Sequence, residues 1–131
     1  MLIGEVIEQC GVTRDTIRHY EAQGLIDAPE RRDNNYKEYP LDTVNRVKFV
    51  RDMQGVGFTL RQTREFLAMY DNRAATCGNT ASRIQAHMAD LDEKIEQLVG
   101  MREKMESMFQ ACTGNADGDP CSPITNILDG T

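Results

Sequence analysis

Apolar residues return along this chain at two helical rhythms, and the breaks between them mark the elements. Near the start, Ile3, Val6 and Ile7 fall on one side of a short helix that Gly11 ends. Thr13 then caps a second helix over T-R-D-T-I-R-H-Y-E, closed by Gly24. Residues 31–39 lose the rhythm, and their strand-like flanks around Asn34-Asn35 predict a small hairpin. Val44, Val47, Val50 and Met53 step by three on the buried side of a third helix, with Asp42 the expected N-cap. Gly55 and Gly57 break that helix, and Phe58 is placed to plug the core. Thr59-Leu60-Arg61-Gln62 opens a fourth helix that runs to about Tyr70 with Phe66 and Leu67 inside. Residues 71–80 read as a polar connection.

The second rhythm is longer. From 82 to 111 there is no Pro, and Gly100 stands alone. Ile84, Met88, Leu91, Ile95 and Leu98 alternate steps of four and three, the pattern of a coiled-coil seam. Met101, Met105, Met108 and Cys112 continue it, which favours seam packing over a thioether metal site. His87, beside Met88, is expected to be partly exposed. A loop rich in Gly and Asp follows at 113–120, and Ser122-Pro123 begins a last short helix through Ile124, Ile127 and Leu128. The fold class is mainly α. Its expected parts are a helix-turn-helix head with a hairpin wing over 1–70 and a connection over 71–80. A dimerisation helix over 81–111 and a thiol-bearing loop with a short helix over 112–131 complete the chain.

Composition narrows the chemistry. The 131 residues carry a net charge of −6, which argues against a general polyanion binder. The acidity is uneven: residues 76–131 hold nine acidic and four basic side chains, whereas 1–75 hold twelve and eleven. Local Arg placement can therefore still build a phosphate-facing surface. Arg14 and Arg18 lie one turn apart on the second helix with His19 and Tyr20 beside them, a spacing that suits phosphates or base edges. Arg31, Tyr36, Lys37 and Tyr39 on the hairpin are candidate backbone contacts. The alternative is that Tyr36 and Tyr39 pack the hairpin onto the core. No apolar run approaches the roughly 20 residues of a membrane span, and MLIGEVIEQC lacks a secretory profile. Cytoplasmic residence is the expectation. There, four cysteines favour reduced, metal-binding or reactive roles over disulfides.

Three of those cysteines are late in the chain. At about 1.5 Å per residue, the long helix separates Cys77 from Cys112 by roughly 50 Å, so one chain cannot gather Cys77, Cys112 and Cys121. An antiparallel homodimer can, because it lays the start of one helix beside the end of its partner. Two symmetric thiolate sites across the dimer interface follow. Softness favours mercury, lead, cadmium or zinc over magnesium, calcium or manganese. A disulfide between Cys112 and Cys121 is the competing reading. Cys10 is expected to fill the core, its rival role being a thiol that senses oxidants or electrophiles.

Together these residues resemble the MerR family of metal-responsive transcription regulators over essentially the whole chain. The resemblance rests on I-G-E-V, on V-T-R-D-T-I-R-H-Y-E with G-L-I after it, and on N-N-Y-K-E-Y. It continues through R-V-K-F-V-R-D-M-Q-G-V-G-F-T-L to the long helix and C-x8-C-S-P-I. It implies a homodimer with winged-helix heads and an antiparallel coiled coil on a double-stranded promoter whose spacer is overlong. The activated protein would bend and untwist that DNA so that RNA polymerase reads both elements. By the same resemblance, Arg18, Tyr20, Arg31, Tyr36, Lys37 and Tyr39 match DNA-contact positions. His19 replaces a more usual aromatic and Lys37 a frequent Arg. Cys112 and Cys121 match the metal loop, and Cys77 matches a position that is Cys in branches sensing divalent ions and Ser in the copper(I), silver or gold branch. Without His in 113–120, a histidine-supported zinc pair is not expected. Asp117 and Asp119 are available as a hard fourth ligand. Three thiolates suit mercury or lead best, with cadmium next. No nucleophile–base pair or phosphate loop points to an enzyme.

Overall fold

The computed structural model describes residues 1–31, 36–114 and 116–130. Its elements are α1 (Ile3–Cys10), α2 (Arg14–Ala22), β1 (Glu30–Arg31), β2 (Lys37–Glu38), α3 (Thr43–Gly55), α4 (Leu60–Asp71), α5 (Cys77–Thr113) and α6 (Ser122–Leu128). The expected hairpin tip, Asn34-Asn35, lies outside the described residues. Contacts divide the chain into one unit over Met1–Ser82 and a second over Arg83–Thr131. No helix among the described residues is long and apolar enough to cross a membrane.

The first unit is built from caps and a small apolar core. Gly11 ends α1 in the left-handed region at φ 66°, and Thr13 Oγ1 accepts the Thr16 amide at 3.2 Å to begin α2. Val6, Ile17, Leu25, Val47 and Val50 are fully buried where α1, α2 and α3 meet. Arg51 of α3 donates to the Cys10 carbonyl at 3.0 Å, and Arg64 of α4 donates to the Gln23 carbonyl at 3.1 Å. Each places a cation on the carbonyl end of a helix, which is where the helix dipole favours it. Thr59 and Gln62 form a reciprocal capping box at the start of α4. Phe58 and Phe66 meet edge-to-face with centroids 5.2 Å apart. The strands pair antiparallel, Glu30 with Glu38 and Arg31 with Lys37.

Two local expectations fail for identifiable reasons. Asp42 does not cap α3: its backbone is already helical, and its carboxylate lies 3.9 Å from Arg46 one turn ahead. The polar connection is also shorter than 71–80. Thr76 Oγ1 accepts the Asn79 amide at 3.2 Å, so α5 starts at Cys77 and the turn occupies only 72–76.

The second unit holds most of α5, then the 114–121 loop and α6. The 37 residues of α5 span about 55 Å at helical rise. The seam residues Ile84, Met88, Leu91, Ile95 and Leu98 are 36–64% exposed in the single chain. Such a continuous apolar stripe left open to water marks an interaction surface. His87, expected to be partly exposed, is buried.

Candidate DNA interface and thiolate pair

The basic cluster forms where the wing meets the second helix. Arg14, Arg18, Glu21, Lys37 and Tyr39 line one cleft of about 410 Å³, with Ile3, Ala22 and Ala28 as its apolar floor. Arg14, Arg18, His19, Arg31 and Lys37 are exposed, and Tyr36 is 61% exposed. The cleft brings the cations Arg14 and Arg18 of α2 beside Lys37 of the wing, an arrangement that suits phosphates.

Two of the tyrosines behave differently. Tyr20 and Tyr39 are each only 4% exposed. The Tyr20 hydroxyl donates to Gln54 Oε1 at 2.7 Å, tying α2 to the end of α3. The Tyr39 hydroxyl donates to Glu21 Oε2 at 2.9 Å, tying the wing to α2. Tyr39 therefore packs the hairpin onto the core, whereas Tyr36 stays open. Burial, then the hydrogen bond and charge of Glu21, push the Tyr39 hydroxyl up to about 12, against smaller opposing effects of Arg18 and Arg14. Burial also raises the Tyr20 hydroxyl, with Arg51 opposing. Glu21 was not singled out in the sequence, where a lone acid beside Tyr20 carries no mark. Its role depends on Tyr39, eighteen residues away.

The thiols separate into three environments. Cys112 Sγ and Cys121 Sγ stand 3.5 Å apart, Cys112 on the last turn of α5 and Cys121 at the N-cap of α6. Both are free thiols, well beyond the roughly 2.05 Å of a disulfide. The hydrogen bond to Cys121 is the main cause that raises the Cys112 thiol above its ordinary value, followed by desolvation and the charge of Cys121. The intervening loop is pinned by Asp119, whose Oδ2 accepts the Ala116 amide at 3.0 Å. That carboxylate is thus engaged by the loop backbone. Cys77 is exposed at the first residue of α5. Among the described residues, no group of three His, Cys, Asp or Glu side chains in the chain is placed to hold a metal ion. Cys10 is buried, its sulfur 3.9 Å from the Val44 carbonyl, and burial raises its thiol against Lys48 and Arg51. It packs into the apolar core and also borders a cleft of about 350 Å³ with Lys48, Arg51 and Asp52.

Known families account for this arrangement. The family described as "MerR HTH family regulatory protein" matches residues 1–70, and the one described as "MerR, DNA binding" matches residues 44–108. The chain belongs to the MerR family. It is 34% identical over 130 residues to the HTH-type transcriptional regulator HmrR of Rhizobium leguminosarum bv. viciae, covering 99% of each chain. It is 34% identical over 126 residues to the mercuric resistance operon regulatory protein of Bacillus cereus, covering 96% of each. The crystal structure of the transcription regulator PbrR691 from Ralstonia metallidurans CH34 in complex with lead(II) superposes with a TM-score of 0.83. It is 26% identical, with 98% of each chain covered. The protein is accordingly a MerR-type transcriptional regulator, mainly helical with a winged helix-turn-helix, and not an enzyme.

Proposed function

We propose that this MerR regulator is a homodimeric activator of metal-resistance genes that responds to a divalent soft metal ion, mercury or lead first, with cadmium and zinc as further candidates. The observation that carries the proposal is the Cys112–Cys121 pair at 3.5 Å, with no third His, Cys, Asp or Glu grouped with it among the described residues. A metal–thiolate bond is about 2.3 Å for zinc, so a linear two-thiolate ion needs sulfurs about 4.6 Å apart. At 3.5 Å the two bonds to one ion subtend about 100°, and a larger ion subtends less. A bent pair leaves room for a third thiolate, which raises the coordination number of a divalent ion above two. Cys77 is a free, exposed thiol at the first residue of α5. The open apolar seam on α5 supplies the reason for a partner, and an antiparallel partner supplies its Cys77 to this pair.

On the DNA side, Arg14, Arg18, His19, Arg31, Tyr36 and Lys37 are the side chains assigned to the promoter, with Tyr20 and Tyr39 bracing the helix and wing that carry them. The likeness of the chain to regulators of mercuric resistance and to a lead(II)-bound regulator supports the choice of metals. Metal binding closes the 114–121 loop, seats α6 and biases the heads toward the state that untwists the promoter, so that RNA polymerase engages it in the cytoplasm. Only a difference in metal affinity between the two states can do this. The test is in vitro transcription from a promoter with an overlong spacer, with each of mercury, lead, cadmium, zinc and copper(I). Activation by a divalent ion supports the proposal, and activation by copper(I) alone contradicts it.

A further inference from the structure

We propose that Arg46 and Asp71 form the positioning link between the Cys77 segment and the DNA-binding helices, so that breaking it uncouples metal binding from promoter activation. The inference rests on the metal response proposed above. Arg46 of α3 donates from Nη1 and Nη2 to the two carboxylate oxygens of Asp71, each at 2.9 Å. Such a two-point fork is more directional than a single charge-assisted bond, although Asp71 is half exposed. It holds the Asp71 carboxyl below its usual range. Asp71 is the last residue of α4, and five residues separate it from Cys77.

Those five residues are held at both ends. The Ala74 amide donates to the Met69 carbonyl at 2.7 Å and the Arg73 amide to the Tyr70 carbonyl at 3.1 Å. That is a Schellman turn, with Arg73 at φ 56° where glycine usually stands. On the far side, Asn79 Nδ2 donates to the Ala74 carbonyl at 2.9 Å while Thr76 caps α5. A displacement at Cys77 therefore reaches Asp71 through a stiff turn. From Arg46 it passes into α3, whose Arg51 grips the end of α1 and whose Gln54 receives the Tyr20 hydroxyl of α2.

A chain of contacts alone does not establish coupling. The surroundings of the pair argue further. Arg46 borders an apolar cavity of about 330 Å³ lined by Phe49, Phe66, Leu67, Tyr70 and Ala75. The guanidinium is held through Nη1 and Nη2 by Asp71, with Asp42 3.9 Å from Nη1, while its buried Nε makes no hydrogen bond among the described residues. Release of the fork would move the guanidinium beside open space rather than into a filled core, the condition for switching between two arrangements.

The experiment uses the full chain and compares wild type, Asp71→Asn and Asp71→Glu. In the metal-free protein, Asp71→Asn should speed amide exchange across 72–80 by about tenfold or more, leaving α1 and α2 protected. Operator affinity and metal stoichiometry should hold within about threefold, while activation at saturating metal falls by about fivefold or more. Asp71→Glu, which keeps the carboxylate, should retain activation. In Asp71→Asn, unchanged exchange at 72–80, retained activation, or a loss of operator affinity as large as the loss of activation would each overturn the link. A wild-type protein that binds no metal would sink the metal reading instead, and the exchange result would still decide whether the pair holds the Cys77 segment.

Discussion

Replacing Tyr39 by Phe removes one oxygen, and its consequence should reverse sign with pH. In the folded protein the hydroxyl is 4% exposed and donates to Glu21 at 2.9 Å. A hydrogen bond to a carboxylate contributes about 1.5 kcal/mol at the lower end of its range, so Tyr39→Phe should cost about that much at neutral pH. The same surroundings disfavour the phenolate. Burial and then Glu21 push the folded value to about 12, whereas the unfolded chain ionises near about 10. A raised value means that the stabilisation is complete below pH 10 and is lost as pH climbs through 12. The gap between those values is worth about 2.7 kcal/mol. Phenylalanine carries no such penalty, so the two proteins should become equally stable near about pH 11, with the variant more stable above it. Urea unfolding of both proteins at one fixed concentration, from pH 8 to about 11.5, measures the difference directly; Tyr20 is common to both and cancels. A stability gap that stays constant across this range would refute the assignment of Tyr39 as a buried strut on Glu21.

Other consequences are simpler to state. Thr59→Ala removes the oxygen that accepts the Gln62 amide at 3.1 Å and should destabilise the head by about 1 kcal/mol, with Thr59→Ser close to wild type by urea unfolding. Arg73→Gly relieves a left-handed arginine and should gain up to about 1 kcal/mol, visible as a higher midpoint of thermal unfolding; a loss would mean that Arg73 makes a contact worth more than its strain. Arg18→Ala should weaken operator binding and lower the slope of log affinity against log salt by about 1, without changing metal stoichiometry. An unchanged slope would remove Arg18 from the phosphate contacts.

What the sequence made legible is whatever depends on neighbours in sequence. The step of three at Val44, Val47 and Val50 located a buried helix face, and Thr13 and Thr59 announced helix starts that their hydroxyls do cap. The seam on α5 was readable as a period, although only the structure shows how fully a single chain leaves it open. The start of α5 was misplaced because Cys77, Gly78, Asn79 and Thr80 look like loop residues; the signal was Thr76 three residues before Asn79. Asp42 looked like a cap because Asp often is one, but Arg46 lies within its reach one turn on. Tyr20 and Tyr39 could not be separated from Tyr36 by residue type, since their burial depends on Gln54 and Glu21 from distant parts of the chain. The Cys112–Cys121 approach spans a loop of eight residues, and spacing alone leaves its separation undetermined.

The central claim is that each metal site takes Cys77 from one subunit and Cys112 with Cys121 from the other, and mixed dimers test it most directly. Cys77→Ser and Cys112→Ser homodimers each lack both complete sites. A heterodimer of the two keeps one, because the intact Cys77 of one chain meets the intact pair of the other. Anaerobic titration with mercury(II) or lead(II), followed by sulfur-to-metal charge-transfer absorbance, should show three-thiolate binding at one ion per heterodimer and none in either homodimer. Full three-thiolate absorbance in the Cys77→Ser homodimer, or none in the heterodimer, would contradict the shared site.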